Sequence, residues 1–407
     1  MVEKGLKRTG FVLNSERRIS VGDFRFGKFE KRYISKVIAS NRLSYGHMTQ
    51  EFEAQFAREH NCKFGIFCNS GTSALHIALS ALKETGKWRD GDEIIVPAVT
   101  FVATSNIVLH NNLVPVFVDV DRFTYNINPA LIEEKITRKT RAIIPVHLFG
   151  LPADMEQILE ITNRHNLSIV EDSCETMFAS YKGRKVGSFG SVGCFSTYIA
   201  HFLVTGIGGI CTTNDKRLAV ILRSLMNHGR DSIYLSIDDD NKAGRQLFRI
   251  VERRFKFIRL GHSFRATELE SAIGLAQLQQ KEKIISKRRE NAKYLTSGLK
   301  DLEKFLQLPT VPDDREHNFM MYPIVVKRKN KRALIRFLEE NFIETRDMMP
   351  LLNQPVYVKL FGKIENQYPV AKWINSNGFY IGCHQYLKKR ELDYVIEKFH
   401  EFYKKNG

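Results

Sequence analysis

The sequence has few cysteines and no long apolar segment. Its six cysteines, among 407 residues, include no CxxC pair, which excludes a disulfide-stapled scaffold and disfavours a zinc or iron–sulfur centre. No apolar run approaches the roughly 18–20 residues that a membrane-spanning helix needs. Residues 1–23 are basic and polar, without the apolar core of a signal peptide. These absences predict a cytoplasmic protein with reduced cysteines, no metal centre and no membrane association.

Composition and charge exclude further classes. The chain is 43% hydrophobic and 26% charged, a globular balance that excludes a disordered or collagen-like chain. Lysine and arginine outnumber aspartate and glutamate by 62 to 45, for a net charge of +17. The basic residues are spread out, without a helix-turn-helix, zinc-finger or RNP pattern. We interpret the excess as a solvated surface that also suits an anionic ligand, and we expect no nucleic-acid partner.

Two periodicities alternate along the chain from about residue 48. Short apolar runs typical of strands are separated by segments of helical length, with a helix predicted over 50–60 and one long helix or two over 267–299. This alternation predicts an α/β fold with a mainly parallel sheet covered by helices on both faces. The predicted strands are 64–68, 93–96, 114–118, 142–146, 168–170, 192–196 and 209–213.

The pattern of apolar and polar residues changes after Pro309 and Pro312. A strand over 321–326 and helices over 331–341 and 389–403 are predicted there, with an irregular, proline-containing stretch between the helices. The length of the chain also favours more than one domain. We therefore predict an N-terminal extension (1–30), a large domain (31–300) and a smaller α+β domain (301–407).

Three loops follow predicted strands, at the sheet edge where ligands bind in parallel α/β folds. The first, Ser70-Gly71-Thr72-Ser73, suits either a phosphate cup or an ordinary helix cap. The second, Glu171-Asp172-Ser173, carries acids that suit a ligand contact or, again, a cap. The third, residues 196–209, holds Ser196, His201 and a glycine-rich turn. Taken alone, a single histidine is more often structural than catalytic.

Eight ordered segments carry a family resemblance. They are SGTSALHIAL (70–79), VPAVTFVATSNIVL (96–109), PVFVDVD (115–121), IIPVHLFGLPADM (143–155), VEDSCE (170–175), GSFGSVGCFS (187–196), GIGGICTTND (206–215) and LGHSFRATELESAIGLAQL (260–278). Over about 30–390 the chain resembles the DegT/StrS-like family of nucleotide-sugar aminotransferases and dehydratases, which depend on pyridoxal 5′-phosphate. The resemblance implies a fold-type-I, aspartate-aminotransferase-like fold whose large domain binds this cofactor.

The resemblance also implies how the cofactor phosphate is bound. The predicted phosphate-binding residues are Ser70, Gly71, Thr72 and Ser196. In many members an asparagine of the other subunit reaches the same phosphate, and Ser263 stands at that position here, with a shorter polar side chain. The family pattern therefore implies a homodimer in which Ser263 of the partner subunit completes the site.

Three more residues would contact the cofactor ring by the same resemblance. Phe101 would stack on the pyridine ring. Asp172 would pair with the protonated ring nitrogen, because a buried carboxylate keeps that nitrogen cationic and the ring able to accept electrons. Glu175 would lie near the polar edge of the ring.

One position departs from the aminotransferase pattern. Five residues after Ser196, where family aminotransferases carry the lysine that forms the Schiff base, this chain has His201, and no lysine lies between Lys185 and Lys216. Imidazole forms no stable Schiff base but can move protons. In this the chain resembles the subgroup of sugar 3-dehydratases that make 3,6-dideoxyhexoses, which carry histidine there.

The resemblance to this subgroup predicts the function. We expect a lyase that removes the C3 hydroxyl of a nucleotide-diphosphate-linked 4-keto-6-deoxyhexose, in dideoxysugar biosynthesis of the lipopolysaccharide O-antigen type. Pyridoxamine 5′-phosphate would be the active cofactor form and His201 the acid and base. Glutamate is the expected amino donor, since a [2Fe–2S] cluster fed by a reductase would need closer cysteine pairs.

Alternatives to this function stay open at this point. The chain could be a nucleotide-sugar aminotransferase paralogue with lysine-free chemistry, or a non-catalytic regulatory or scaffold homologue. The segment 230–257, which includes the acidic run 238–240, could either shape the sugar-nucleotide pocket or be an exposed connection.

Overall fold

The centre of the protein is a seven-stranded sheet. A computed structural model describes residues 18–231, 242–253, 255–328 and 330–405. The strands are β1 (Phe64–Cys68), β2 (Glu93–Pro97), β3 (Val114–Val118), β4 (Thr140–Ile143), β5 (Ser168–Asp172), β6 (Ser180–Tyr181), β7 (Arg184–Lys185), β8 (Val192–Ser196), β9 (Gly209–Thr213), β10 (Leu306–Gln307), β11 (Tyr322–Val326), β12 (Thr345–Asp347) and β13 (Gly378–Ile381). The helices are α1 (Lys28–Ser40), α2 (His47–Glu59), α3 (Gly71–Gly86), α4 (Val102–His110), α5 (Met155–His165), α6 (Lys216–Met226), α7 (Gly244–Arg253), α8 (Glu268–Leu278), α9 (Lys281–Leu299), α10 (Lys331–Glu340), α11 (Pro355–Phe361), α12 (Pro369–Asn377) and α13 (Lys389–Lys405).

The strands of the central sheet lie in the order β1-β9-β8-β5-β4-β2-β3. The pairs β2–β3, β2–β4, β4–β5 and β5–β8 are parallel, whereas β9 is antiparallel to both β1 and β8. All seven predicted strands belong to this sheet, and the predicted α/β fold is confirmed. The reversed direction of β9 was not predicted, because an apolar run carries no information about strand direction.

Helix α3 leads away from the first predicted ligand loop. It begins after Ser70, whose hydroxyl oxygen accepts a hydrogen bond from the Ser73 N–H (3.0 Å) and so satisfies one of the free N–H groups of the first turn. Its Leu75 and Leu79 are buried, and the helix packs across β1, β5, β8 and β9. It ends at Gly86, and the following residue, Lys87, caps it with a left-handed φ of 52°.

The segment predicted as one long helix or two forms two helices. The Thr267 oxygen accepts from the Leu269 N–H (3.3 Å) and Glu270 accepts from the Thr267 N–H (2.9 Å), a capping arrangement that starts α8. Helix α9 then contributes to two apolar cores: Ile285 packs in the core of the large sheet and Leu295 in a second core.

The second core lies on a smaller antiparallel sheet with the order β10-β11-β13-β12. Residues from both ends of the described chain pack there, since Ile19 bridges to Ile343 and Phe399 of α13 is buried beside them. The proposed domain limits at 1–30, 31–300 and 301–407 stay predictions. The packing adds that part of α9 belongs to the core of the smaller sheet.

The stretch predicted as irregular contains β12, α11, α12 and β13. Pro355 and Pro369 stand in the first turns of α11 and α12, where the missing N–H breaks no helical hydrogen bond. Those prolines therefore start helices here instead of interrupting them. Within the described ranges, no helix combines the length and apolarity needed to cross a membrane.

Candidate active site

Eight of the nine predicted site residues line one cavity of about 340 Å³. They come from the ends of β5 and β8, from the loops beyond them and from the first turns of α3 and α4. The volume lies within the roughly 300–1,000 Å³ typical of small-molecule sites. The eight residues are Ser70, Gly71, Thr72, Phe101, Asp172, Glu175, Ser196 and His201.

The turn between β1 and α3 forms one end of the cavity. A Cβ atom on Gly71 would lie 2.7 Å from Ser196 Cβ and 2.8 Å from Cys174 Sγ, so only glycine fits between these side chains. The first N–H groups of a helix have no acceptor within the helix and favour an anion. Together with the Ser196 hydroxyl, this end of the cavity suits a phosphate group.

Asp172 is the last residue of β5 and is only 4% exposed. Its Oδ2 accepts a hydrogen bond from the Thr104 hydroxyl (2.7 Å) and its Oδ1 from the Cys174 N–H (3.1 Å). Burial raises the pKa of Asp172 in spite of these two hydrogen bonds. A carboxylate held in this way is stabilised by a cation that enters the cavity. Phe101, at the start of α4, is 57% exposed and leaves a ring face free for stacking.

Glu175 is a second buried acid at the cavity. One of its carboxylate oxygens accepts a hydrogen bond from the Phe149 N–H (3.0 Å), and Phe149 itself has a left-handed φ of 56°. Burial, together with a smaller effect of the nearby charge of Asp172, raises the pKa of Glu175 to about 8. Glu175 is therefore largely protonated at neutral pH and can donate a hydrogen bond.

His201 lies at the cavity with a defined tautomer. Its Nδ1 donates to the Ser196 carbonyl oxygen (3.0 Å), so in the neutral ring Nε2 carries the lone pair. Burial lowers the pKa of His201 to about 4, although the Ser196 carbonyl acts in the opposite direction. The imidazole is thus neutral at pH 7 and ready to accept a proton. No lysine is among the described residues that line this cavity.

The ninth predicted residue, Ser263, does not line the cavity within its own chain. It is exposed, and its hydroxyl oxygen accepts a hydrogen bond from Arg265 (3.1 Å). The next residue, Phe264, accepts from the Asn69 N–H (2.7 Å), so Ser263 lies close to the turn before α3. The predicted contact across a subunit interface stays a prediction.

A larger cavity of about 1,130 Å³ shares Thr72 with the first and contains none of the other predicted site residues. It is lined by α3 residues such as His76 and by Ile258, Leu260 and His262. Within the segment 230–257, α7 is described, whereas the acidic run 238–240 lies outside the described residues. Apart from the shared Thr72 and from Ser263, the predicted site residues therefore line the smaller cavity alone.

Sequence reasoning missed several residues that line the cavity or, like Thr104, contact one of its lining side chains. Thr104 lies in a quoted segment, three residues after Phe101, and its helical spacing from that residue could have singled it out. Met320, Met349 and Tyr380 come from distant parts of the chain and had no local signal. They close the apolar side of the cavity.

These residues fit pyridoxal phosphate. The glycine gap beside Ser196 leaves room at an anion-binding helix end, Asp172 offers a buried carboxylate to a ring cation, and Phe101 offers an aromatic face. Fold and site therefore define a fold-type-I, pyridoxal-phosphate class of protein. The chain belongs to the DegT/DnrJ/EryC1/StrS aminotransferase family, whose family model matches residues 25–400. The family depends on pyridoxal phosphate, which confirms the cofactor that the sequence predicts.

Relatives in this family have different reported activities. The lipopolysaccharide biosynthesis protein RfbH of Salmonella typhimurium is 32% identical over 377 residues, covering 89% of this chain and 86% of the relative. GDP-perosamine synthase of Escherichia coli O157:H7 is 33% identical, covering 92% and 95%. The solved structure of E. coli GDP-4-keto-6-deoxy-D-mannose-3-dehydratase with bound hydrated PLP has a TM-score of 0.84 and 28% identity, covering 93% of this chain and 98% of that one.

Proposed function

We propose that the protein is a sugar 3-dehydratase acting on a nucleotide-diphosphate-linked 4-keto-6-deoxyhexose. The observation that carries the proposal is the neutral imidazole of His201 in the cavity, at the position where family aminotransferases have a lysine. The similarity to the GDP-4-keto-6-deoxy-D-mannose-3-dehydratase supports it.

Each side chain has a part in this reaction. When bound, the amino form of pyridoxal phosphate supplies an electron sink that allows a hydroxyl to leave the sugar carbon next to its point of attachment. The first turn of α3 and Ser196 bind the phosphate. Asp172 keeps the ring nitrogen protonated and Phe101 covers one ring face. Glu175, largely protonated, donates a hydrogen bond at the polar edge of the ring.

His201 moves the proton. Its Nδ1 stays bonded to the Ser196 carbonyl, so Nε2 is the atom that would take a proton from the cofactor carbon that bears the amino group. The electron pair left behind would expel the C3 hydroxyl, and the imidazolium would protonate that hydroxyl so that it departs as water. A lysine at this position would also bond covalently to the cofactor and open the route to transamination. Glutamate is the proposed amino donor that generates the pyridoxamine form.

We also propose a homodimer, with Ser263 of the partner subunit near the phosphate. Leu260, at the larger cavity, is 98% exposed, and Phe257 and Ile258 beside it are about half exposed. An apolar patch of this kind is typical of an interface. Light scattering on the purified protein would report a dimer mass, whereas a monomer would contradict this part of the proposal.

A second candidate function is sugar aminotransfer, favoured by the similarity to GDP-perosamine synthase. The two functions differ in product: a dehydratase removes water, whereas an aminotransferase adds an amino group.

The purified protein, with pyridoxal phosphate and glutamate, is to be incubated with GDP- and dTDP-linked 4-keto-6-deoxyhexoses and the products identified by mass spectrometry. We expect a dehydrated sugar with wild type and none with His201→Asn. An amino sugar from wild type would support the alternative.

A test that needs no substrate accompanies this one. Borohydride reduction followed by intact-protein mass should find no covalent cofactor on wild type and one adduct on His201→Lys, since that variant regains an amine at the cavity. A covalent adduct on wild type would overturn the proposed role of His201. An unmodified His201→Lys variant would count against the position assigned to residue 201.

A further inference from the structure

Arg288, on α9, is a buried cation next to the main chain of His201. It is 1% exposed, and its Nε donates to Gln385 Oε1 (3.0 Å). Its Nη1 donates to the Met320 carbonyl (2.7 Å) and its Nη2 to the His201 carbonyl (3.0 Å). The guanidinium also lies over the Phe202 ring, 5.0 Å from the centroid. One side chain therefore holds the main chain on two sides of the cavity.

In the part of the chain that the structure describes, Arg288 differs from the other buried arginine, Arg223, in lacking an acidic partner. Arg223 forms an ion pair with Glu53 (2.8 Å). Among the described residues, no carboxylate lies within 4 Å of Arg288, and its charge is balanced by carbonyl oxygens and an aromatic face. Burial lowers the pKa of Arg288 to about 10, which still leaves it cationic at pH 7.

Burying an unpaired charge is costly, and an apolar side chain would fill the same core space without that cost. The carbonyls it holds belong to residues that line the cavity, so the benefit of Arg288 is at the active site. We infer that Arg288 is a positioning residue that ties the main chain of His201 to the Met320 wall. This inference rests on the proposed role of His201.

The charge of Arg288 has a second effect on the same histidine. Burial lowers the pKa of His201 most, and the nearby guanidinium lowers it further. The other titratable residues that line the cavity are Asp172, Cys174, Glu175, Tyr198 and Tyr380. Arg288 is the charged side chain that lowers the pKa of His201, so it favours the neutral, proton-accepting imidazole.

The test compares Arg288→Gln, Arg288→Lys and the matched control Arg223→Gln. Histidine-labelled protein without cofactor is titrated by NMR, with the His201 signal assigned from His201→Asn. We expect Arg288→Gln to raise the pKa of His201, while Arg288→Lys, which keeps the charge, leaves it near the wild-type value. Arg223→Gln should lower the free energy of unfolding, because it leaves the buried Glu53 without its ion-pair partner. It should not change the pKa of His201.

Kinetics supply the second readout. Both Arg288 variants should lower kcat by about tenfold or more, because a displaced proton acceptor loses its reactive geometry, with KM changed little. Arg223→Gln should keep kcat. If Arg288→Gln does not fold, Arg288→Lys still tests the inference, which then requires a lowered kcat together with an unchanged pKa of His201.

Two results would overturn the inference. The first is that both Arg288 variants fold and keep the wild-type kcat, while the pKa of His201 in Arg288→Gln equals that of wild type. The other is an equal change in Arg223→Gln, which would mean a general loosening of the fold. Failure of the proposed function is distinguishable, because it would appear as full activity in His201→Asn, whereas the NMR readout concerns only the position and charge of Arg288.

Discussion

Two adjacent carboxylates at the end of β5 have opposite surroundings. Successive side chains of a strand point to opposite faces, so Glu171 points away from the cavity that Asp172 faces. Glu171 is fully buried and accepts hydrogen bonds from three main-chain N–H groups, of Gly187 (2.7 Å), Phe189 (2.6 Å) and Gly190 (2.7 Å). Asp172 accepts two hydrogen bonds, from the Thr104 hydroxyl and the Cys174 N–H, and faces the cavity.

A histidine completes the surroundings of Glu171. His147 Nδ1 accepts from the Ala153 N–H (2.9 Å), so its Nε2 carries the hydrogen and donates to Glu171 (3.2 Å). With four donors, Glu171 has little capacity left and its role is structural. Asp172, whose pKa is raised by burial, keeps capacity for a cation. The comparison teaches that the donors around a buried acid, more than its burial, separate a structural acid from a functional one.

The largest expected effect is that of Asp172→Asn. An amide cannot keep the ring nitrogen of the cofactor cationic, so turnover should fall by about 1,000-fold. The variant should fold as wild type, because the amide fits the same space. Steady-state kinetics and thermal unfolding measure the two properties. A folded Asp172→Asn variant with wild-type turnover would contradict the functional role assigned to Asp172.

Glu171→Gln should have the converse effect. The amide replaces one acceptor oxygen by a donor among main-chain N–H groups, which should lower the free energy of unfolding by about 3 kcal/mol. Urea unfolding measures this loss, and turnover per folded molecule is expected to stay within a few-fold of wild type. Equal stability with lost turnover would mean that the two acids had been assigned the wrong way round.

The smallest expected effect concerns the hydrogen bond from Thr104 to Asp172, the functional acid of the pair. Thr104→Val removes the hydroxyl that donates to Asp172, so the pKa of Asp172 should rise further, because that hydrogen bond lowers it. Removing one such bond costs about 1 kcal/mol, or about fivefold in cofactor affinity, measurable by fluorescence titration.

Thr162→Val is the matched control for this substitution. Thr162 is also a buried threonine, but its hydroxyl donates to the Leu159 carbonyl within α5 (3.1 Å). Cofactor affinity should be unchanged in this variant. Equal weakening in both would trace the effect to lost packing and leave Asp172 without support from Thr104.

The local features of the fold were predictable from the sequence because they depend on neighbouring residues. Apolar runs predicted the seven strands of the central sheet, and a helix cap was one of the two interpretations of the loop Ser70-Gly71-Thr72-Ser73, where Ser70 caps α3. The loops after strand ends, together with the family resemblance, predicted eight residues that share one cavity. The loops meet there because the carboxyl ends of parallel strands lie at one sheet edge.

Other features depend on distant residues and were not predictable. The antiparallel direction of β9 follows from its partners β1 and β8. Met320, just before β11, and Tyr380, in β13, reach the cavity from distant parts of the chain. The prolines of α11 and α12 looked like interruptions because their position within a turn is decided by the packing around them.

The sequence by itself determined the family, the cofactor class and the histidine at position 201, because these are written in residue identity and spacing. Only the tertiary structure decided which acid is saturated by donors and which keeps capacity for a ligand. It also decided that Arg288 lies next to the main chain of His201 with carbonyls as its partners. The physical reason is that burial and hydrogen-bond partners arise from contacts between segments far apart in the chain, which no local pattern encodes.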